Sequence, residues 1–500
     1  MIAVRFKIIR RLSLILLLFY LNSKAEDKVE PARDDTIAFS LQEALLTGLQ
    51  NNPTVTIQRL VPAILQTYVK ESQGQFLPTL DATAQQVHSK SQRLLGTRPD
   101  PIELEDDRYS YTVSINEFLP TGTNVSLSAS QLGALSSLYR DQFTGTFNLS
   151  INQPLLNGFG LSTNLATLRK ARLDWQISQA ELKGLAEEVV ADIEKSYWEL
   201  YLAVAEIIIQ QKSLELAEKH LMESWERVRV GKLPELEIAA VEAELAARHS
   251  QLLNAQSQGE QAKLRFLYLL NPQQDLLWSR PLRLTDQPFL PVDTLAPLSI
   301  HVQLGKQFRA DLQQAKLNYQ KGILEVHRTR NGMLPQLDFF ITFGTTSYAQ
   351  SFKDVKVDVN SPYRSATTGL SLALPALNRS QRAQYTRAKL TQKQQEIALQ
   401  NMEKLVEVEI RSAYAEVQRA RQQIEATKRT RELQEKKLNA ELEKFRIGKS
   451  TNLLVLQAQR DFISSQLEET RTMVAYLTAL TQLYLKEGTL LERRGIASRL

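Results

Sequence analysis

Two hydrophobic periodicities alternate along this chain, and they do so in the same order twice. Apolar residues recur at intervals of three and four over 161–229 (Leu182, Leu185, Val189, Ile193, Tyr197, Leu200) and again over 378–446 (Leu399, Met402, Leu405, Val406, Ile410, Tyr414). Neither run holds a proline, only Gly184 interrupts them, and charged residues fill the remaining faces. At about 1.5 Å per residue each run predicts a helix of roughly 100 Å, far beyond the roughly 11–12 residues of an ordinary globular helix. A stripe of this kind is the coiled-coil pattern and is buried only against partner helices. Each run meets a glycine, Gly231 or Gly448, the expected helix stop, and a second helix returns to about Leu270 or Leu485.

Period-two alternation, the mark of a half-buried strand, precedes each long run. In the first half it covers 75–86, 109–117, 124–129 and 143–151, and Pro154 ends it. Leu119-Pro120-Thr121-Gly122 lies between the middle two and reads as a turn, because proline presets φ and glycine accepts a left-handed conformation. The second half carries two strands, 336–348 and 366–374, ended by Pro375. Residues 38–75 read as helix broken at Asn51-Asn52-Pro53, since proline suits a first helical turn and displaces its predecessor from helical geometry.

The duplication is also literal. Residues 170–232 match 387–449 without a gap at an offset of 217, with 18 of 63 pairs identical, among them Tyr197/Tyr414, Arg229/Arg446 and Gly231/Gly448. After a slip of two, Ser250-Gln251-Leu252 reads again as Ser465-Gln466-Leu467, and Leu77-Pro78-Thr79-Leu80-Asp81 returns as Leu334-Pro335-Gln336-Leu337-Asp338. A unit this long is half a protein rather than a solenoid repeat of roughly 20–50 residues, and duplicated halves are a common way to build a transport pore. The expected organisation is a signal peptide at 1–25, a flexible leader at 26–36, a first repeat at 37–271, a proline-rich linker at 272–298, a second repeat at 299–488 and a tail at 489–500.

Charge and cysteine content narrow the classes. Residues 1–25 combine Arg5, Lys7, Arg10 and Arg11, an apolar run from Leu12 to Leu21, and Ser23-Lys24-Ala25. This is the layout of a cleaved export signal, and the run is shorter than the roughly 20 residues that cross a bilayer. The whole chain has 61 basic and 55 acidic residues. The signal holds five of the basic ones and no acidic one, so the remainder has 61 − 5 = 56 against 55, a net of +1. The basic balance therefore gives no support to nucleic-acid binding. The basic run from Arg419 to Lys437 is interleaved with Glu425, Glu432 and Glu435, as on a solvated coiled-coil face. With no cysteine, a disulfide framework and a lipidated N-terminal cysteine are excluded. The five histidines lack metal-ligand spacing, and no phosphate loop or nucleophile elbow occurs. No enzymatic activity and no cofactor are expected.

Several ordered motifs resemble those of the TolC-type outer-membrane factors. Ser40-Leu41-Gln42-Glu43-Ala44-Leu45 with Asn51-Asn52-Pro53 is similar to the family's first-helix signature, and Arg309-Ala310-Asp311-Leu312 to its second-half counterpart. Gln153-Pro154-Leu155-Leu156-Asn157-Gly158-Phe159-Gly160 resembles the strand-to-helix junction. Arg229-Val230-Gly231-Lys232-Leu233 and Arg446-Ile447-Gly448-Lys449-Ser450 resemble the hairpin tips. The resemblance implies a mixed, mostly α fold, in which long antiparallel helical hairpins form an α-barrel and short strands contribute to a trimeric transmembrane β-barrel. It also implies a homotrimer in the outer membrane of a Gram-negative-type bacterium, surrounded by lipid, with a periplasmic tunnel. A periplasmic adaptor would dock on the tips and link the chain to an inner-membrane transporter. The exit duct of an efflux pump or type I secretion system is the implied role; a coiled-coil spacer or stalk of the envelope is the rival. Independently, four to six strands cannot close a barrel alone, and an open edge cannot face lipid.

Three departures stand out. The first half spends 76 residues between Pro78 and Pro154 and the second 40 between Pro335 and Pro375; the surplus around Leu119–Gly122 either adds two barrel strands or stands outside the wall. The slip of two lengthens the first tip. The family often places two aspartates after the second tip, where this chain has Leu454 and Gln457, with Ala239 and Glu242 as first-half equivalents. A carboxylate ring attracts cations in a narrow pore, so Glu242, or Glu237 if the slip is placed differently, is the candidate for a single ring at the periplasmic gate.

Overall fold

The computed structural model describes residues 37–94, 100–137, 140–272, 276–290, 295–374 and 378–496. The export signal and leader expected within 1–36 lie outside the described residues, as do Pro375 and the last four residues of the tail. No described helix is long and apolar enough to cross a membrane.

The two halves repeat the same helices. In the first, α1 (Leu41–Asn51) is followed by α2 (Pro53–Gly74). The Asn52 side chain caps α2 by accepting from the Thr54 amide at 2.9 Å, with Pro53 in the first turn. The long α3 (Ala166–Arg229) and the returning α4 (Ile238–Leu270) form the first hairpin. In the second half α5 (Leu298–Phe308) and α6 (Ala310–Asn331) have the same lengths as α1 and α2, 11 and 22 residues. The second hairpin is α7 (Arg379–Arg446) with α8 (Asn452–Glu487). At 64 and 68 residues, α3 and α7 are each about 100 Å long.

Equivalence extends to single atoms. A Cβ on Gly48 of α1 would lie 2.3 Å from Ile193 Cδ1 of α3, and one on Gly305 of α5 would lie 2.2 Å from Ile410 Cδ1 of α7. Ile193 and Ile410 are a repeat pair. Both glycines let a short helix press directly onto a long one, and both isoleucines are fully buried. Around them the core gathers Leu45, Leu49, Val190, Tyr197, Phe266, Leu270, Leu312, Val406 and Leu483.

The sheet is a single six-stranded antiparallel layer in the order β2 (Thr79–Arg93), β3 (Ile102–Phe118), β4 (Asn124–Ser136), β5 (Gln142–Pro154), β7 (Gln336–Ala349), β8 (Tyr363–Ala373). Its strands are 11–17 residues long, longer than the expected short strands and at or beyond the roughly 9–11 needed to span a bilayer. Their far ends carry Lys90, Glu103, Glu105 and Asp107, whose charges break the alternation that marks a strand in sequence. Registry aligns one row of Leu80, Ile115, Leu127, Leu149, Phe343 and Ala366 on one face. The adjacent row, on the other face, is Asp81, Ser114, Ser128, Asn148, Gly344 and Ser365. Along these two rows one face is apolar and the other polar.

Two segments depart from the expected plan. Within the 272–298 linker, β6 (Leu282–Leu284) pairs in parallel with β1 (Ile37–Phe39). The link is therefore stitched to the start of the first repeat, and Tyr197 locks it, its hydroxyl donating to the Phe39 carbonyl and accepting from the Asp286 amide, each at 3.2 Å. The segment after 488 is no free tail as far as Ile496. Gly488, at φ +71, ends α8, and a short helix, Leu490–Arg493, follows. Leu490, Leu491 and Ile496 are buried in the main core, and Arg494 donates to buried Glu194 of α3 at 2.9 Å.

Candidate functional site at the hairpin tips

Both tips are the same backbone device. In the first, the Gly231 amide donates to the Val228 carbonyl and the Lys232 amide reaches back to Arg227 at 2.8 Å. In the second, Gly448 donates to Phe445 and Lys449 to Lys444, again at 2.8 Å. This pair of bonds is the Schellman stop, which needs a left-handed residue, and Gly231 and Gly448 have φ of +73 and +76. A Cβ at either glycine would meet nothing within 4 Å. Backbone conformation, not crowding, therefore requires glycine there.

Around each turn the chain displays apolar knobs with a basic rim. Val230 and Ile447 are 62% and 66% exposed. Arg229 and Arg446 are exposed and pair with Glu226 and Glu443 of their own helices, at 3.4 and 2.8 Å; Lys232 and Lys449 are also exposed. Leu233 is half-buried, and Ser450 donates to Glu441 at 2.8 Å. The slip of two appears as Pro234 and a 3-10 turn, Glu235–Glu237, before α4 begins. It pushes Leu236 outward to 88% exposure, the most exposed large apolar side chain of the described residues. Leu236 and the 71% exposed Leu453 do not stand out in the sequence, although both sit within a few residues of the glycines.

The expected gate residues divide. Ala239, Glu242, Leu454 and Gln457 are exposed near the start of the returning helices. Glu237 is not free: the Asn452 side chain donates to it at 2.9 Å, across from the second hairpin. Two further contacts tie the hairpins together. Arg227 donates to the Phe445 carbonyl at 2.9 Å with its guanidinium 4.0 Å from the Phe445 ring. Arg460 of α8 donates to Glu244 of α4 at 3.2 Å, and Arg248 holds the same carboxylate at 2.8 Å. Burial pushes the Glu244 carboxyl up, but the hydrogen bond from Arg460 and the two guanidinium charges outweigh it, leaving the group below its ordinary range. Arg227, Glu244, Asn452 and Arg460 were missed in the sequence. Their one signal is that they depart from the repeat: Arg227 stands against Lys444, and Glu244 against Gln459.

The basic run of α7 is spent on acidic neighbours, with Arg419 on Glu416, Arg429 on Glu432, Arg431 on Glu469 and Lys437 on Asp461. Among the described residues no group of three or more metal-ligating side chains comes together. Buried His301 instead pairs with Glu487, and His220 packs on Phe445.

Paired hairpins with glycine turns at one end and an antiparallel sheet at the other are also the fold of two solved outer-membrane proteins. VceC of Vibrio cholerae superposes with a TM-score of 0.66 at 16% identity, covering 90% of this chain and 96% of that one. The open state of the Neisseria gonorrhoeae MtrE channel gives 0.62 at 19%, covering 90% and 89%. Residues 302–489, most of the second half, match the outer membrane efflux protein family. The pyoverdine export outer membrane protein OpmQ of Pseudomonas putida is 26% identical over 340 residues. That match spans 64% of this chain and 64% of OpmQ's length.

Proposed function

We propose that the chain is the passive exit duct of a tripartite efflux pump or type I secretion system, with three copies around one axis in the outer membrane. The observation that carries this reading is the two-faced sheet. Its apolar row suits lipid and its polar row suits a water-filled lumen, the alternation of transmembrane barrels. Its outer edges, β2 and β8, are unpaired in the single chain, and only closure with other copies satisfies them within lipid. The rival reading, a spacer or stalk, gives no reason for that face. The helical hairpins extend into the periplasm and gather their apolar stripes against each other.

The duct performs no chemistry and binds no cofactor or nucleic acid; energy comes from an inner-membrane transporter. A periplasmic adaptor docks on Val230, Leu236 and Ile447 within the rim of Arg229, Lys232, Arg446 and Lys449. Opening moves the hairpins outward at this end, past the residues around Glu242, Leu454 and Gln457. OpmQ, named for export, supports the direction of transport. The test is deletion of 230–232 and 447–449. Export is expected to stop while the assembly stays in the outer-membrane fraction as a heat-modifiable oligomer. Normal export would overturn the docking role, and a soluble monomer from the intact chain would overturn the duct.

A further inference from the structure

The halves contribute unequally to the sheet. Motif correspondence pairs β2 with β7, each starting at the third residue of the Leu-Pro-x-Leu-Asp motif, and β5 with β8, each leading into a long helix. The hairpin β3–β4 therefore has no counterpart. We infer that this inserted hairpin is part of the membrane wall, so that each chain supplies six strands and three chains close a barrel of 18 rather than 12. The inference rests on the trimeric duct proposed above.

Three observations carry it. First, the two rows do not change character on crossing the insertion. Ile115 and Leu127 continue the apolar row between Leu80 and Leu149, and Ser114 and Ser128 continue the polar row between Asp81 and Asn148. A hairpin standing outside the membrane or folded into the lumen would leave that apolar face in water.

Second, the insertion is fixed at both ends. Its inner turn lies on the strand-to-helix junction, where the Gly160 amide donates to the Thr121 carbonyl at 3.0 Å. A Cβ on Gly122 would come within 2.3 Å of the Gly158 carbonyl oxygen. At the other end the loop between β7 and β8 crosses it. Gln131 of β4 donates to the Val355 carbonyl at 2.9 Å, and the Phe352 ring packs 5.5 Å from that of Tyr111 on β3. Gly133 admits that ring, since a Cβ there would touch it at 3.0 Å.

Third, six is even. Strand directions alternate across the sheet, so β8 of one copy meets β2 of the next in antiparallel sense, as barrel closure needs. With strands about 4.8 Å apart and tilted about 40°, 18 strands give a backbone diameter of about 36 Å, against about 24 Å for 12. The wider mouth would accept cargo as broad as a helical hairpin, about 20 Å across, rather than only a single helix.

The chain has no cysteine, so single cysteines report on each face. In intact cells Ser128→Cys is expected to react with a membrane-impermeant maleimide and Leu127→Cys to stay unlabelled. Asn148→Cys and Leu149→Cys on β5 serve as the reference pair. If the reference pair differs but both β4 cysteines react, the hairpin lies off the wall and the inference falls while the duct stands. If the reference pair reacts alike, the membrane reading itself fails. Electron microscopy of the full chain in lipid nanodiscs supplies the count: three copies with 18 strands are expected, and three copies with 12 would overturn the inference alone.

Discussion

Placed side by side, the two halves of this chain agree where each short helix presses on its long one and differ in the sheet insertion, the first tip and the contacts between hairpins. Gly48 on Ile193 and Gly305 on Ile410 repeat to within a tenth of an ångström, and both tips close with the same bonds. The β3–β4 hairpin, the extra turn at the first tip and the contacts between hairpins are not duplicated. Two near-equivalent hairpins in each of three chains would give six similar units around one axis. In the proposed duct, equivalence would build the tube and inequivalence would mark where it meets membrane and partner.

The largest test uses Glu187, whose repeat partner is exposed Lys404. Burial, opposed by Lys183 at 3.8 Å, pushes the Glu187 carboxyl from its ordinary 4.5 up to about 8. A folded value above the unfolded one means stability is full below about pH 4.5 and is lost as pH rises through about 8. The loss is up to about 5 kcal/mol by linkage. The thermal midpoint of the wild-type assembly should fall across that window, and Glu187→Gln should flatten the fall; an unchanged slope would reject the assignment.

Glu244 and Arg248 form a buried pair where the second half has Gln459 and Ile463. Glu244→Ala strands the buried guanidinium and should cost about 3–5 kcal/mol. Importing the second half's residues together, Glu244→Gln with Arg248→Ile, should recover most of that loss in the same melting experiment. Equal damage from both variants would show that more than the ion pair is at stake.

The glycine contacts sharpen the comparison from the other side. Gly48→Val and Gly305→Val should each destabilise by about 1–3 kcal/mol through overpacking, and by similar amounts; a cost confined to one half would break the equivalence. The smallest contrast is at the repeated tyrosines. Tyr197→Phe removes two hydrogen bonds and should cost about 1–2 kcal/mol, whereas Tyr414, for which no hydroxyl hydrogen bond occurs among the described residues, should tolerate the change. Denaturant midpoints would separate the two.

The features legible in the sequence are those with local causes. Long proline-free runs with a 3.6-residue stripe, glycine stops, the Asn52-Pro53 break and alternating strands each state their structure within a few residues. What stayed hidden depends on distant partners. The three-residue strands β1 and β6 exist only because Ile37–Phe39 meets Leu282–Leu284 some 245 positions away. The segment after Gly488 reads as a tail until Leu490 and Leu491 find the core. The strands run past their apolar bands because pairing continues where alternation has stopped, as at Glu103 and Glu105. At the tips, the glycines announced themselves, but Arg227 on Phe445 and Arg460 on Glu244 follow from which faces of two hairpins meet, and no spacing encodes that.

Whether copies of this chain close around one axis in the outer membrane can be read from native mass spectrometry of the complex extracted from outer membranes. A single species of three chains that persists in detergent and separates on heating is expected. A monomer recovered from the soluble periplasmic fraction would contradict it.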